Sequence, residues 1–177
     1  MAADILLLIG PKGSGKSTLG RMLEVFAGVH FLEAEPIAAQ VLARLGGVID
    51  ENYAIHAFAA IAAEAQRLGQ ARRAIVLETT GASAHTGHFI ASLRAHHRVH
   101  LIRVRATVET CATRIAERDP SGQIAVPVAL IQKMQAISDG FELDWDLEVN
   151  NDPALSPDAL QRAFASLVAR LPGLPRS

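Results

Sequence analysis

The fold of this chain is decided near its start by Gly10-Pro11-Lys12-Gly13-Ser14-Gly15-Lys16-Ser17-Thr18. The stretch matches the pattern G-x-x-x-x-G-K-[S/T] at every position. An apolar run at 5–9 precedes it, as a buried parallel strand would, and a helical pattern at 16–27 follows it. Glycines allow a tight turn whose backbone N–H groups point at an anion, and a helix N-terminus adds partial positive charge. This context predicts a phosphate-binding loop at residues 10–18, called the phosphate loop below.

Two side chains of the phosphate loop have specific expected roles. Lys16 is expected to reach the β- and γ-phosphates of a nucleoside triphosphate, and Ser17 is expected to place its hydroxyl on Mg²⁺. We therefore expect ATP and Mg²⁺ as cofactors, with all nine loop residues contributing to nucleotide binding. The alternative is a glycine-rich turn that matches by accident, and the agreement of motif and flanking elements argues against it.

Length and composition limit the class of protein. A chain of 177 residues suits one domain, here 1–177, with a full core. The 17 basic and 18 acidic residues nearly cancel and form no long basic run, which argues against nucleic acid as a partner. The apolar run at 5–9 is far shorter than the roughly 18 residues of a membrane span. The one cysteine, Cys111, is expected to be a buried structural thiol, and its lack of a disulfide partner fits a reducing cytoplasm. Oligomeric state stays open.

Short β-type runs alternate with helical runs along the chain. The expected strands lie at about 4–9, 30–33, 74–78, 99–104 and 147–150. Helix caps are expected at Asp50, Thr107 and Ser156. The alternation predicts an α/β fold with three layers, α/β/α, around a parallel sheet. In the helix that follows Pro127, we expect the core-facing residues to be Leu130, Met134 and Ile137.

Three acidic residues stand at or just after predicted strand ends. Because ligands bind beyond the carboxyl ends of parallel strands, all three are candidates for chemistry. Glu78 is expected to help Ser17 hold the metal, and Glu33 to orient or deprotonate an acceptor hydroxyl. Glu35 either shares that acceptor role or is an exposed acid attracted by a helix dipole. The identity of the base among these three residues stays open.

Two arginines lie four residues apart on one helical face, just before a segment with proline and glycine. Arg118 is expected to steady the transferring phosphoryl group, and Arg114 to lie along the adenine. The segment 119–127 is expected to close as a short lid. Asn151 follows the last strand, where it is expected either to contact the base or to form a turn with its Asp and Pro neighbours. Both roles are compatible.

The histidines do not suggest a metal site. His85 and His88 are three residues apart, and His96, His97 and His100 cluster near a predicted helix end. No cysteine or carboxylate completes a zinc-binding spacing around them. We expect these side chains to be solvated.

These residues resemble those of the small phosphate-loop kinases, the group of shikimate kinase, gluconate kinase and nucleoside monophosphate kinases. The resemblance covers residues 4–155 in element order. The segment 8–21 is similar to the opening of shikimate kinase. Glu33 and Glu35 stand where that family has an Asp-x-Asp pair that serves the metal and the acceptor.

The resemblance extends to two later segments and has implications for fold and function. The segment 114–119 is similar to the helix end that contacts nucleotide and begins the lid, and 148–152 is similar to the adenine loop of the dephospho-coenzyme A kinase type. The group implies a five-stranded parallel sheet in the order 2-3-1-4-5. The turn after Glu78 lacks the glycine-rich shikimate-binding pattern, which argues against shikimate as the acceptor.

The sequence thus predicts an ATP- and Mg²⁺-dependent kinase for a small hydroxylated metabolite. Two alternatives stay open. One is a nucleoside triphosphate hydrolase or nucleotide-controlled switch without a small acceptor. The other is a nucleotide-binding module without turnover.

Overall fold

The computed structural model describes residues 2–117, 128–140 and 142–171 of the chain. Its strands are β1 (Asp4–Ile9), β2 (His30–Phe31), β3 (Ala74–Thr79), β4 (Arg98–Arg105) and β5 (Leu147–Asn150). Its helices are α1 (Lys16–Ala27), α2 (Ala34–Arg44), α3 (Glu51–Gly69), α4 (Thr86–Arg94), α5 (Val108–Ala116), α6 (Val128–Asp139) and α7 (Pro157–Val168). The expected lid at 119–127 and Arg118 lie outside the described residues.

The five strands form one parallel sheet in the order β2-β3-β1-β4-β5. This confirms the expected fold and strand order. Strand β1 lies at the centre, where Ile9 is level with Thr79 of β3 and Arg103 of β4. All carboxyl ends therefore lie at the same edge of the sheet, next to the phosphate loop.

Strand β1 is buried on both faces, which explains why its sequence is apolar almost throughout. Leu6 and Leu8 face the layer formed by α1 and α7. Ile5, Leu7 and Ile9 face the opposite layer, which includes α3 and α4. Because successive strand residues point to opposite faces, this one strand anchors both halves of the core.

The expected caps on three helices are confirmed. Asp50 accepts a hydrogen bond from the backbone N–H of Tyr53 at 2.8 Å at the start of α3. Thr107 caps α5 in the same manner, and Ser156 caps α7 ahead of Pro157. Each cap satisfies a backbone donor that a helix start leaves without an intrahelical acceptor.

The expected core face of α6 was wrong. Leu130 and Ile137 are 42% and 36% exposed, whereas Ile131 is 1% exposed and packs against Cys111 and Ala106. Neighbouring residues on a helix are separated by about 100° of rotation, so an error of one position turns the predicted face away from the core. Cys111 is fully buried, as expected.

His97 is another departure from expectation, because it is buried rather than solvated. Its side chain packs against Gly69 at the end of α3, and the residue is only 9% exposed. Neither ring nitrogen has a hydrogen-bond partner among the described residues. Burial, reinforced by neighbouring His96, lowers the pKa of His97 below its ordinary value of 6.5.

No helix in residues 2–117, 128–140 and 142–171 combines the length and apolar character that a membrane crossing needs.

The buried His97 predicts a pH-dependent stability. The unfolded chain binds a proton to this imidazole near its ordinary pKa of about 6.5, whereas the folded chain binds it only at lower pH. The free energy of unfolding should therefore fall as the pH drops below about 6.5, until the lower folded-state pKa is passed. His97→Phe should flatten this decline in urea unfolding measured between pH 7 and 5. His88→Phe, at an exposed position of α4, is the matched control, and equal slopes for the two variants would contradict the assignment.

Candidate functional site

The phosphate loop turns at two glycines with left-handed backbone conformations, Gly13 at φ 87° and Gly15 at φ 92°. A Cβ added to Gly13 would come within 2.5 Å of the Cys111 backbone, and one added to Gly15 would collide with the Asn151 side chain. The loop is therefore pressed against α5 and the segment after β5. Glycine is required at both positions for conformation and for space.

Lys16 belongs to the phosphate loop, is the first residue of α1 and is buried. Its Nζ donates hydrogen bonds to the carbonyl oxygens of Gly10 at 2.8 Å and Pro11 at 2.9 Å. A buried ammonium needs such partners to offset the loss of water. The contacts fold the side chain back along its own loop, so its positive charge is concentrated where the motif is expected to bind phosphates.

Ser17 and Glu78 are brought together from α1 and β3. The Ser17 hydroxyl lies 3.0 Å from Oε1 and 2.9 Å from Oε2 of Glu78. Hydroxyl and carboxylate oxygens are suitable ligands for Mg²⁺, which usually keeps several waters and takes further oxygens from substrate phosphates. The residues described contain no group of three or more His, Cys, Asp or Glu side chains that could hold a metal ion. A Mg²⁺ ion at this pair would thus take its remaining ligands from phosphate and water.

Arg114 and Asn151 hold the backbone of the phosphate loop. Asn151 Nδ2 donates to the Ser14 carbonyl at 2.7 Å, and its Oδ1 accepts from the Leu155 N–H at 2.9 Å. Arg114 donates through Nη1 to the carbonyls of Gly13 and Ser14, both at 3.4 Å, and through Nη2 to the Asn151 carbonyl at 2.8 Å. Arg114 was expected to lie along the adenine, and Asn151 either to contact the base or to form a turn. Their contacts with the loop were not predicted.

Asp152 is a supporting residue that sequence reasoning missed. Its Oδ2 accepts from the Thr107 backbone N–H at 3.1 Å, the Thr107 hydroxyl at 2.7 Å and the Thr110 hydroxyl at 2.8 Å. The side-chain hydrogen bond from Thr107, followed by its backbone N–H and then Thr110, lowers the pKa of the carboxyl. Asp152 thereby ties the start of α5, the helix that carries Arg114, to the segment after β5. The only sequence signal was the Asn-Asp-Pro turn.

The two acids near the second strand have different surroundings. Strand β2 ends at Phe31, two residues before the predicted end at Glu33. Glu33 occupies the N-cap position of α2 without a capping hydrogen bond from its side chain, and Glu35 lies in the first turn of that helix. Glu33 forms an ion pair with Arg21 of α1 at 2.9 Å, and both side chains are about half exposed. Glu35 pairs at 3.3 Å with Lys12, a residue of the phosphate loop itself. Of these two acids, Glu35 is thus the one that contacts the phosphate loop.

The residues of the loop fit a bound phosphate group. Lys16 supplies a buried positive charge, and the two left-handed glycines keep side chains out of the turn. The Ser14 hydroxyl is fully buried and has no hydrogen-bond partner in the described part of the chain. A donor without a partner beside a concentrated positive charge suits an anion.

Comparison with known proteins assigns the family. A family model for AAA domains matches residues 5–139, which include the phosphate loop and the Ser17–Glu78 pair. The chain belongs to the AAA_33 family of AAA domains. A comparison of this AAA domain with curated protein sequences finds no match.

Solved structures similar to this AAA domain include several kinases. A sugar kinase from Janibacter sp. HTCC2649 is 17% identical with a TM-score of 0.67, over 94% of this chain and 95% of that one. Shikimate kinase from Acinetobacter baumannii is 20% identical with a TM-score of 0.66, over 97% and 96% of the two chains. The tunicamycin resistance protein of Deinococcus radiodurans is 16% identical with a TM-score of 0.69, over 99% of each chain. This likeness establishes a shared fold, the small phosphate-loop kinase fold.

The bracing role of Asn151 can be tested by truncation. Asn151→Ala removes the partner of the Leu155 N–H and leaves the Ser14 carbonyl with the 3.4 Å contact from Arg114, so it should lower the free energy of unfolding by about 1–3 kcal/mol. Because the loop loses its support, affinity for Mg-ADP should fall as well. Urea unfolding and nucleotide titration measure the two effects. Asn150→Ala, at the exposed neighbouring position, should change neither. Wild-type Mg-ADP affinity in Asn151→Ala would show that nucleotide binding does not need the hydrogen bonds of the Asn151 side chain.

Proposed function

We propose that the protein is an ATP- and Mg²⁺-dependent kinase that transfers the γ-phosphoryl group to a hydroxyl of a small metabolite. The observation that carries this proposal is the presence of two carboxylates with separate partners at the loop. Glu78 contacts Ser17, and Glu35 contacts Lys12. One carboxylate suffices to assist a metal, so the second is available to bind an acceptor.

On this proposal the nucleotide is held by the loop. Backbone N–H groups of the phosphate loop and the Lys16 ammonium bind its phosphates, and Arg114 and Asn151 fix the shape of the loop. Ser17 and Glu78 hold Mg²⁺, which neutralises phosphate charge when bound. Arg114 also contributes one face of its guanidinium to the adenine. Arg118, four residues further on, steadies the transferring phosphoryl group.

We assign the acceptor hydroxyl to Glu35 in preference to Glu33. The contact with Lys12 supports Glu35, because an acceptor hydroxyl must approach the γ-phosphate that the loop holds. Glu33 is paired with Arg21, more than one helical turn beyond Ser17 on α1. Glu35 accepts the hydroxyl proton as the acceptor oxygen attacks phosphorus, and ADP leaves. Charge stays balanced because the carboxylate becomes a carboxylic acid.

The assignment of the base role to Glu35 predicts different results for two matched variants. Glu35→Gln should retain Mg-ATP binding and lose about 10²–10⁴-fold in acceptor-dependent turnover, the usual range for loss of a general base. Glu33→Gln should stay near the wild-type rate. The measurement is ADP release in a coupled assay with sugars, sugar acids, nucleosides and nucleotides as acceptors. Lys16→Ala gives the background rate of ADP release in this assay.

The two possible failures are distinct. A large loss in Glu33→Gln with little loss in Glu35→Gln would transfer the base role to Glu33 and leave the kinase intact. Fast ATP turnover that no compound stimulates would replace the kinase with a nucleoside triphosphate hydrolase.

A further inference from the structure

The two lysines of the phosphate loop have different partners. Lys16 donates to carbonyl oxygens of its own loop, whereas Lys12 Nζ donates to Oε1 of Glu35 in the first turn of α2, at 3.3 Å. The Lys12 side chain is only 14% exposed, and that of Glu35 is 39% exposed. Partial shelter from water strengthens the attraction between two opposite charges. A positive charge is therefore held between the phosphate loop and the residue assigned as the base.

We propose that Lys12 is a second phosphate-binding cation, which pairs with Glu35 when no nucleotide is bound and moves to the γ-phosphate when ATP binds. ATP then releases the Glu35 carboxylate to an acceptor hydroxyl, whereas ADP, which has no γ-phosphate, leaves the ion pair in place. The inference rests on the proposed kinase function and deepens it, because it adds a substrate-binding residue and states how the nucleotide controls the base.

The role of Glu35 determines where Lys12 lies relative to the reaction. In a reactive complex the attacking oxygen is about 3–3.5 Å from the atom it attacks and about 2.6–3.2 Å from its general base. On the proposed function, Glu35 is thus separated from the γ-phosphate by one acceptor oxygen. Lys12 Nζ lies 3.3 Å from the same carboxylate. The four-carbon stem of lysine has the rotational freedom to exchange one oxygen partner for the other.

The balance of charge favours this exchange of partners. A terminal phosphate group carries roughly −1.5 to −2 charge at pH 7 and offers three acceptor oxygens, whereas the Glu35 carboxylate carries a single negative charge. Without a cation beside them, these two anions would repel each other. The segment 119–127 contains no lysine or arginine that could bring a positive charge to the γ-phosphate. Lys12 supplies such a charge from the phosphate loop itself.

A neighbouring ion pair provides a matched control. Glu33, two residues before Glu35, pairs with Arg21 of α1 at 2.9 Å, and both side chains are about half exposed. This pair has the same kinds of charge as the pair of Lys12 and Glu35 but includes no residue of the phosphate loop. Its loss therefore reports only the long-range effect of removing one positive charge near the nucleotide.

Nucleotide binding to matched variants tests the inference without any acceptor. With Mg²⁺ present, calorimetry gives the affinities for ADP and for a non-hydrolysable ATP analogue. Lys12→Gln should lower the affinity for the ATP analogue about 10- to 100-fold, the range for a hydrogen bond between charged groups, and leave the affinity for ADP unchanged. Lys12→Arg should keep most of the preference for ATP, and Arg21→Gln should match the wild type. Retained ADP binding also shows that the phosphate loop of Lys12→Gln is folded.

A double-mutant cycle tests the competition between Glu35 and the γ-phosphate. Glu35→Gln should raise the affinity for the ATP analogue about 2- to 10-fold, in the lower part of the range for residues in contact, because the carboxylate no longer competes for Lys12. The affinity for ADP should not change. In the Lys12→Gln background, the same substitution should have no effect on either nucleotide.

Three results overturn the inference: wild-type affinity for the ATP analogue in Lys12→Gln, an equal loss of affinity for both nucleotides in that variant, or an effect of Glu35→Gln that is the same with and without Lys12. Each of them leaves the kinase proposal standing, because acceptor phosphorylation is measured separately. Fast ATP turnover that no compound stimulates removes the proposed function itself, and with it the role of Glu35 as a base that ATP releases.

Discussion

The site depends on satisfying the backbone carbonyl groups of the phosphate loop. A loop that points its N–H groups at an anion turns several carbonyl oxygens the other way, into the protein, where each needs a donor. Lys16 donates to Gly10 and Pro11, and Asn151 donates to Ser14. Arg114 adds contacts to Gly13 and Ser14. These donors let the loop keep a shape that would otherwise bury unpaired polar groups.

The strand order brings these donors to one place. Because β1 is central, the loop that follows it is flanked by the ends of β3 and β4, with β5 beyond. Glu78 reaches Ser17 from β3, and Asn151 reaches the loop from the end of β5. Asp152, through Thr107 and Thr110, aligns α5 so that Arg114 joins them. Residues more than a hundred positions apart thus form one site only when the sheet is complete.

Local patterns predicted much of the fold and part of the site. Strand β1, the caps at Asp50 and Thr107, and the Ser17–Glu78 pair follow from short-range signals and from the general position of ligands at parallel sheets. The bracing by Asn151 was not predictable in this way, because it depends on a loop 137 positions earlier in the chain. The burial of His97 likewise depends on packing against Gly69.

The two acids after β2 show the limit of positional reasoning. Glu33 and Glu35 are two residues apart, and in a continued strand they would point the same way. The strand instead ends at Phe31 and the helix begins at Ala34, so Glu33 meets Arg21 and Glu35 meets Lys12. The sequence placed Glu33 at the end of a strand and Glu35 just after it, but the point where strand becomes helix decides which of the two contacts the phosphate loop.

On the proposed function, a hydroxyl compound, and not water, receives the phosphoryl group. The sharpest test is to run ATP turnover with the candidate sugars, sugar acids, nucleosides and nucleotides in ¹⁸O-enriched water. Mass spectrometry then identifies every phosphate-containing product and its ¹⁸O content. A kinase should yield a phosphorylated acceptor whose phosphate carries no ¹⁸O from the solvent. Unmodified acceptors, with inorganic phosphate that carries one solvent ¹⁸O as the main product, would contradict it.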